Sequence, residues 1–466
     1  MPSSDIAGCP PQPNLDHSRW WRHRSLVVLN VLLYLCPLLT TFTMGFDGSM
    51  FGSLQASDYW QDYFHHPAGT ILATLGAAPI LGGFIAFPFV YTLSDKMGRR
   101  WSMFIGSAFI AVGSGIQAGA LNRAMYGLGR GLIGFGQAFC AVFEAAHYAL
   151  GSIVAAWVVF GTIHINSNSA WRIPSALQAL PAIIQCSFAF VCPDSPRHLY
   201  YKGHHAEAKA MIIKYHSDGQ DDDLAQWEYD EIAVALDAEQ ALPKGIFAPL
   251  FNALKKTGYR KRLFIIMWLA ICSQASGNSF ISYYLSPVLR STGITGQLQQ
   301  TIINATSQIL SWLSAMAFTV LPARVGRRTL FLSSLALLLL VVSGITAASA
   351  VLGFTGNLNV FISEINEFYL RAVGITLFGL GQQIISLIFQ YATSVGLERL
   401  GWKYFCIFIP WIAVELVVVY FVFPETKGLS LEEIATVFDG EAAPLAHGRM
   451  VEDKKPEFEH KDTAMV

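Results

Sequence analysis

Two ionisable residues stand out because they lie in stretches of the chain that are otherwise apolar. Asp47 lies near the end of one such stretch, and Arg130 is the only charged residue of another, 126–142. Ionisable groups are costly within a membrane, and there they are usually paired or functional. A buried carboxylate that loses a cationic partner favours its neutral form, so this pair could bind and release a proton. The alternative is that Asp47 faces water at the mouth of its helix and binds nothing.

Membrane-spanning helices are predicted along the whole chain. Of 466 residues, 53% are hydrophobic and 14% are charged, whereas soluble domains carry roughly 25% charged residues. Many charge-free runs reach the roughly 20 residues that a helix needs to cross a bilayer. The composition therefore predicts an all-α membrane protein and argues against the buried helices of a soluble protein. The predicted spans cover 26–45, 69–93, 101–121, 126–142, 143–163 and 174–192, then 263–285, 301–320, 329–352, 372–392 and 404–423.

The distribution of charge predicts the orientation of these spans. Basic residues cluster before the first span, between the second and third, before the seventh, and after the eighth at 327–328, whereas 46–66 holds acids but no Lys or Arg. Loops rich in Lys and Arg stay in the cytosol, which predicts a cytosolic N-terminus and central loop. The net charge of −1 argues against a nucleic-acid partner. The first apolar run has no small-residue cleavage site, so no removable signal is expected.

The chain divides into two hydrophobic halves joined by a charged linker. We expect a cytosolic N-terminal tail at 1–25, a helix bundle at 26–192, a cytosolic loop with short surface helices at 193–262, a second bundle at 263–423 and a cytosolic tail at 424–466. The sequence Ser-Asp-Lys-Met-Gly-Arg-Arg at 94–100 follows the second span, and Ala-Arg-Val-Gly-Arg-Arg at 323–328 follows the eighth. Matching turns in register indicate an internal repeat, which is typical of transporters with a binding site between their halves.

Several short motifs resemble those of the sugar porters of the major facilitator superfamily. They are Gly-Phe-Asp at 45–47, Gly-Arg with two further glycines at 129–136, Pro-Asp-Ser-Pro-Arg at 193–197, Gln-Ala-Ser-Gly-Asn at 274–278 and Pro-Glu-Thr-Lys-Gly at 424–428. The sequences at 48–49, 60–64 and 171–174 further resemble the fungal lactose-permease-like and hexose-transporter branch. The resemblance covers nearly the whole chain and implies a major facilitator fold of two six-helix-type bundles.

This resemblance implies a proton site and a sugar site. Asp47 would carry the coupled proton, with Arg130 as its partner. The sugar site needs groups that donate and accept hydrogen bonds in an otherwise apolar cleft. The implied ligands are Gln274, Ser279, Tyr283, Ser311 and Gln382. The alternative for each is a polar contact that holds membrane helices together, and Ser279 departs from the Asn of many family members.

Charges at the cytosolic ends of the helices would form a gate that exchanges salt bridges as the halves rock. An equally good interpretation is that the same charges only fix the orientation of the helices in the membrane. The residues are Asp95, Arg99, Arg100, Asp194, Arg197, Arg327, Arg328, Glu364, Arg371 and Glu425. Glu415, inside the last span, is a further intramembrane acid to which the sequence assigns no partner.

Two sections of the family pattern are missing. The loop that normally joins the fourth and fifth helices is absent, because residues 143–145 of the fifth helix follow residue 142 of the fourth directly. Only about a dozen weakly apolar residues, near 353–363, stand where the tenth helix belongs, too few to cross a bilayer. With eleven spans, 364–371 would lie outside the cell, which conflicts with its resemblance to a cytosolic turn. We hypothesise that this sequence is a shortened isoform or a gene model that lacks two exons. Sequencing of the transcript tests this hypothesis.

The sequence therefore predicts uptake of a hexose or a disaccharide such as lactose by proton symport. Alternatives are transport or export of another small metabolite, a truncated inactive isoform, and a sugar sensor that does not transport. No nucleophile and base, metal cluster or phosphate loop is evident, so we expect neither an enzyme nor a cofactor or metal site. The expected partners are the sugar, the proton and the lipid bilayer, with the protein a monomer in the plasma membrane and both termini cytosolic.

Overall fold

The computed structural model contains only helices among the residues that it describes, and it confirms the all-α prediction. These residues are 24–140, 148–216, 223–240, 257–276, 278–291, 293–320, 326–344, 368–400, 404 and 406–424. The two regions where parts of the family pattern are missing, at residues 141–147 and 345–367, lie outside the described residues.

The N-terminal half consists of the helices that match the first six predicted spans and a short helix between two of them. They are α1 (Arg24–Leu54), α2 (Asp58–Tyr63), α3 (Gly69–Met97), α4 (Arg99–Ala118), α5 (Arg123–Cys140), α6 (Tyr148–Thr162), α7 (Ser169–Leu177) and α8 (Ala179–Ala189). α1 continues three turns beyond the predicted end at residue 45. The span predicted at 174–192 is divided at Gln178, where α7 ends and α8 begins.

The linker forms the short helices that the sequence predicts, and the C-terminal half follows. The linker helices are α9 (Pro196–Tyr201), α10 (His205–His216) and α11 (Asp223–Gln240). The C-terminal helices are α12 (Thr257–Ala275), α13 (Asn278–Ser291), α14 (Gln297–Val320), α15 (Arg327–Gly344), α16 (Phe368–Leu400) and α17 (Phe408–Val422). The single span predicted at 263–285 is thus two helices, because α12 ends at Ala275 inside it.

The outer surface of the bundle is apolar. Large hydrophobic side chains are exposed on many helices, whereas Asp47, Arg130 and Glu415 are buried. This arrangement is the reverse of that in a soluble protein and suits a hydrocarbon solvent. Within the described residues, 69–90 of α3 and 100–118 of α4 meet the length and hydropathy of a membrane span by themselves. Exposed apolar residues include Ile85, Phe89, Val112, Leu128, Ile183, Val191, Leu313, Ile388, Val417 and Phe421.

Glycines let the helices of the N-terminal half approach closely. Gly134 of α5 lies against the backbone of α3, so that a Cβ there would overlap the Pro79 carbonyl. A Cβ at Gly129 would lie 2.8 Å from backbone atoms of Gly113 and Gln117 of α4. Small residues at helix interfaces are typical of membrane proteins because they maximise packing contacts. The glycines at 129, 134 and 136 therefore serve close helix packing.

The two halves contact each other through matching helix pairs. α1 packs on α13, α3 packs on α16, and α6 packs on α14. We call the end of the bundle with the acidic segment 46–66 the outer end, and the end with Arg99 and Arg100 the inner end. A site between the halves is therefore bordered by α1, α3 and α6 on one side and by α13, α14 and α16 on the other.

α15 and α16 run in the same direction through the bundle. α15 begins beside the end of α17, where Arg328 donates to the Tyr420 carbonyl across 2.6 Å. α16 ends at the outer end, where Ser394 donates to the Gly69 carbonyl across 2.7 Å. The start of α16 therefore lies at the inner end, where the family pattern puts 364–371, and not outside as eleven spans alone would require.

Candidate functional site: a buried ion pair in the N-terminal bundle

Asp47 and Arg130 form an ion pair inside the N-terminal half. The Arg130 Nη1 and Nη2 atoms each lie 3.3 Å from one carboxylate oxygen of Asp47. Their side chains are 6% and 0% exposed, respectively. A bidentate contact of this kind fixes both groups in one orientation. The predicted pairing of these two residues is therefore present in the structure.

The remaining contacts of Arg130 are to a carbonyl and an aromatic ring. Its Nε donates to the carbonyl oxygen of Leu75 on α3 across 2.9 Å. Its guanidinium carbon lies 4.1 Å from the centre of the Phe51 ring. A cation stacked on an aromatic face is stabilised even without a carboxylate. Arg130 therefore keeps two partners if Asp47 becomes neutral.

Aromatic side chains separate this pair from the outer end. The Phe51 ring packs edge-on against Trp60 of α2 at 6.2 Å, and Trp60 packs against Tyr126 at 6.1 Å. Phe64 and Trp171 complete the cluster, and all of these rings are buried. The short helix α2 thus covers the ion pair at the outer end of the bundle.

The seventh-span motif lies where α12 gives way to α13. Gln274 is half-buried near the end of α12, and Ser276 follows the last helical residue. The side chains of Ser279 and Tyr283 lie outside the described part of the structure. Tyr284 interrupts α13 with φ −127° and ψ 22°, and its hydroxyl donates to the Gln390 carbonyl across 3.2 Å. The segment that carries the predicted sugar ligands is therefore a break between helices.

The other predicted sugar ligands lie on two further helices of the C-terminal half. Ser311 is half-buried on α14, and Gln382 is half-buried on α16. The residue before Gln382, Gly381, lies against Met267 and Ala270 of α12. The shared role of Gln274, Ser311 and Gln382 as sugar ligands stays a prediction.

Of the predicted gate residues, the described charges at the inner end tie helices together within one half. Arg100 and Asp194 form an ion pair of 3.2 Å between α4 and the segment after α8. Arg328 lies 5.5 Å from the Tyr420 ring, in addition to its hydrogen bond to that residue's carbonyl, and Arg197 is exposed. The side chains of Asp95, Arg99, Arg327 and Arg371, and all of Glu364 and Glu425, lie outside the described residues. A gate between the halves stays a prediction.

Polar contacts join the two halves at the outer end. Asn304 of α14 donates to Ser53 Oγ of α1 across 2.5 Å. Arg290 of α13 donates to the Gln55 carbonyl across 3.3 Å. Together with the bond from Ser394 to Gly69 described above, these contacts hold the outer ends of the halves together. The structure is thus closed on this side.

Two polar features of the interior were not predicted from the sequence: the burial of Gln390 and the hydrogen-bond partners of Glu415. Gln390 of α16 is fully buried against Gly76 of α3, and its side-chain amide has no hydrogen-bond partner among the described residues. Glu415, which the sequence left without a partner, accepts from Ser276 and Trp411. Polar residues inside apolar spans are the signal for both, but spacing along the chain does not say which helix supplies the partner.

Comparison with known proteins identifies the architecture. The Sugar (and other) transporter family matches residues 33–148, 138–353 and 345–438. The match breaks at the two sections that the sequence analysis found missing. MFS-type transporter criB of Aspergillus cristatus is 27% identical over 445 residues, which cover 86% of this chain and 91% of that protein.

Two further relatives extend this comparison. H(+)/hexose cotransporter 2 of Parachlorella kessleri is 26% identical over 414 residues, covering 77% of this chain and 74% of that protein. The inward open conformation of the xylose transporter XylE from E. coli matches with a TM-score of 0.68 and 16% identity, covering 88% of this chain and 100% of that chain. The fold is therefore that of the major facilitator superfamily.

Proposed function

Because the chain belongs to the Sugar (and other) transporter family, we propose that it carries a hexose or a disaccharide such as lactose across the membrane together with a proton. The two halves would alternate access to a site between them. A hexose/proton cotransporter among its relatives supports the coupling, and the xylose transporter supports a monosaccharide-sized cargo.

The ion pair of Asp47 and Arg130 carries this proposal. Both side chains are withdrawn from water, and each is the charged partner of the other. When Asp47 binds a proton, the pair loses its attraction, and Arg130 stays with the Leu75 carbonyl and the Phe51 ring. α1 is then released from α5 at this point. Since α1 packs on α13 of the other half, the state of the pair is linked to the approach of the halves.

The sugar would bind beside the break between α12 and α13. Gln274 supplies a donor and an acceptor, and Ser279, Tyr283, Ser311 and Gln382 supply further polar groups on the bordering helices. A broken helix exposes backbone groups that a sugar hydroxyl can bond. We propose that the inner end faces the cytosol of a cell whose plasma membrane holds the protein as a monomer, and that Arg100, Asp194 and the other inner charges exchange partners during closure.

Uptake of radiolabelled sugar tests the proposal. The chain is expressed in yeast that lacks its own hexose and lactose carriers, with and without a protonophore. We expect uptake that the protonophore abolishes and that Asp47→Asn removes. Asp58→Asn is the matched control, because Asp58 is an exposed acid at the outer end of the same half. Uptake by Asp47→Asn that still responds to the protonophore would reject Asp47 as the proton carrier.

A second candidate is transport of another small metabolite on the same scaffold. The seventh-span motif departs from the family at Ser273 and Ser279, where hydrogen-bonding amides are usual, and one relative is named only as an MFS-type transporter. Competition separates the two candidates. If an excess of hexoses and disaccharides does not reduce proton-driven uptake of a metabolite by this chain, the sugar assignment is wrong.

A further inference from the structure

Glu415 is a second buried acid, and it lies in the C-terminal half. It is 0% exposed at the middle of α17. Its neighbours one turn away on the same helix, Ile412 and Val419, belong to an apolar cluster that α12, α15 and α16 also build. A carboxyl group in such surroundings is costly unless its polar atoms are bonded. Its partners therefore indicate what the acid does.

Both carboxyl oxygens of Glu415 have a neutral partner. Ser276 Oγ lies 2.7 Å from Oε2, and the Trp411 indole Nε1 lies 2.6 Å from Oε1. Trp411 is one turn before Glu415 on α17, whereas Ser276 belongs to the break after α12. Glu415 thus connects the last helix to the segment that carries the predicted sugar ligands.

The Ser276 hydroxyl has one proton and two acceptors within reach. Besides Glu415 it lies 2.5 Å from the carbonyl oxygen of Cys272. If that proton points to Cys272, then the bond to Glu415 requires a proton on Oε2, which the acid donates to Ser276 Oγ. If Glu415 is ionised, the hydroxyl turns to the carboxylate instead. The Cys272 carbonyl then keeps the bond from the Ser276 backbone N–H, at 3.3 Å.

No cation compensates a charge on Glu415 within the described residues. From α12 the titratable group that faces it is the Cys272 thiol, and Arg262 lies nearly three turns before Cys272 on that helix. From α15 the side chains in the shared cluster are Phe331, Leu335 and Leu338. Arg328 of α15 is engaged with Tyr420, five residues beyond Glu415. The site accepts either protonation state through neutral donors.

We propose that Glu415 is a second proton-binding site, which sets the end of α12 through Ser276. When Glu415 takes up a proton, Ser276 donates to Cys272 and closes the last turn of α12. When the proton leaves, the Ser276 hydroxyl turns to the carboxylate and that turn loses its side-chain bond. Gln274 lies in the turn that is affected. The proposal rests on the proposed function, since it couples a proton to the segment that would bind the sugar.

Infrared difference spectroscopy on the purified full chain, taken between acidic and alkaline pH, tests the proton site without transport. We expect a carboxylic-acid carbonyl band that Glu415→Gln removes and that Asp47→Asn retains. Ser276→Ala should shift this band, because it deletes a hydrogen-bond partner. A spectrum that Glu415→Gln leaves unchanged would overturn the proposal. If the wild-type chain carries no sugar, the proposed function fails, but this spectrum still decides the proton site.

Transport assays in yeast then test the coupling. Glu415→Gln presents an N–H to Ser276 as the protonated acid does, but it cannot release a proton. We expect accumulation against a gradient to fall by about tenfold or more, the size of one charge-assisted hydrogen bond, while sugar-for-sugar exchange continues. Glu415→Asp should restore part of the accumulation. Accumulation at the wild-type level by Glu415→Gln, with the expected pH response, would make Glu415 a structural acid only.

Discussion

In the N-terminal half the buried acid, Asp47, lies against a guanidinium, whereas in the C-terminal half Glu415 lies against a hydroxyl and an indole. An acid beside a cation is stabilised in its charged form, and protonation breaks an attraction between two helices. An acid beside neutral donors is accommodated in both forms, and protonation only redirects a hydrogen bond. The same chemical group therefore holds two helices together in one half and sets the end of a helix in the other.

The largest effect is expected when the cation of the N-terminal pair is removed. Arg130→Gln leaves the Asp47 carboxylate buried without a partner, which should lower the free energy of unfolding by about 3–5 kcal/mol. The double variant Asp47→Asn/Arg130→Gln should recover most of this loss, because no charge then remains. Thermal unfolding of the purified protein measures both. A double variant no more stable than Arg130→Gln alone would mean that the pair is not the stabilising feature.

The two acids also differ in how far the sequence could predict their surroundings. Asp47 and Arg130 were paired because Asp47 lies near the end of one apolar stretch and Arg130 is the only charge of another, and the resemblance gave both a role. Glu415 was recognised as an intramembrane acid, but its partner Ser276 lies 139 positions away. That serine faces α17 because α12 ends at Ala275, and the apolar pattern of 263–285 predicts one continuous span instead. A break in a helix leaves little trace in hydrophobicity.

The same limit applies to the contacts between the halves. The matching turns at 94–100 and 323–328 predict an internal repeat of two related bundles, and this relation between the halves stays a prediction. The pairing of Asn304 with Ser53 depends on how one bundle lies on the other, and each residue alone is an ordinary polar side chain in a helix. Sequence patterns thus predicted the elements, whereas the polar contacts between elements required coordinates.

A second difference between the halves is the close glycine packing of α3, α4 and α5. Gly134→Ala puts a Cβ onto the Pro79 carbonyl, which should cost about 1–3 kcal/mol through displaced backbone. Gly115→Ala on α4 is the matched control, because a Cβ there has no atom within 4 Å. Melting temperatures of the two variants measure the effect. Equal melting temperatures would show that α3 and α5 are not so close in the folded protein.

The hydrogen bonds at the outer end concern the contact between the halves rather than either half alone. Asn304→Ala removes the donor to Ser53 Oγ, a bond worth about 1 kcal/mol, and should populate a state that is open at the outer end. Spin labels at the exposed positions His66 and Thr295, in a chain otherwise depleted of cysteine, report the separation. Ser314→Ala is the control, since Ser314 donates to Leu310 of its own helix. Identical distance distributions in the two variants would contradict this role.

The smallest expected effect distinguishes the donors of the C-terminal acid. Trp411→Phe keeps an aromatic ring against Trp268, at 6.3 Å in the wild type, but deletes the N–H that Glu415 Oε1 accepts. The carboxylic-acid carbonyl band of Glu415 should move to higher wavenumber, because that oxygen loses its hydrogen bond, and accumulation should fall by less than about tenfold. Trp268→Phe is the matched control, since the Trp268 indole N–H has no hydrogen-bond partner among the described residues. If both substitutions move the band equally, the indole ring and not its N–H tunes the acid. The contrast between a charged partner for Asp47 and neutral donors for Glu415 would then rest on Ser276 alone.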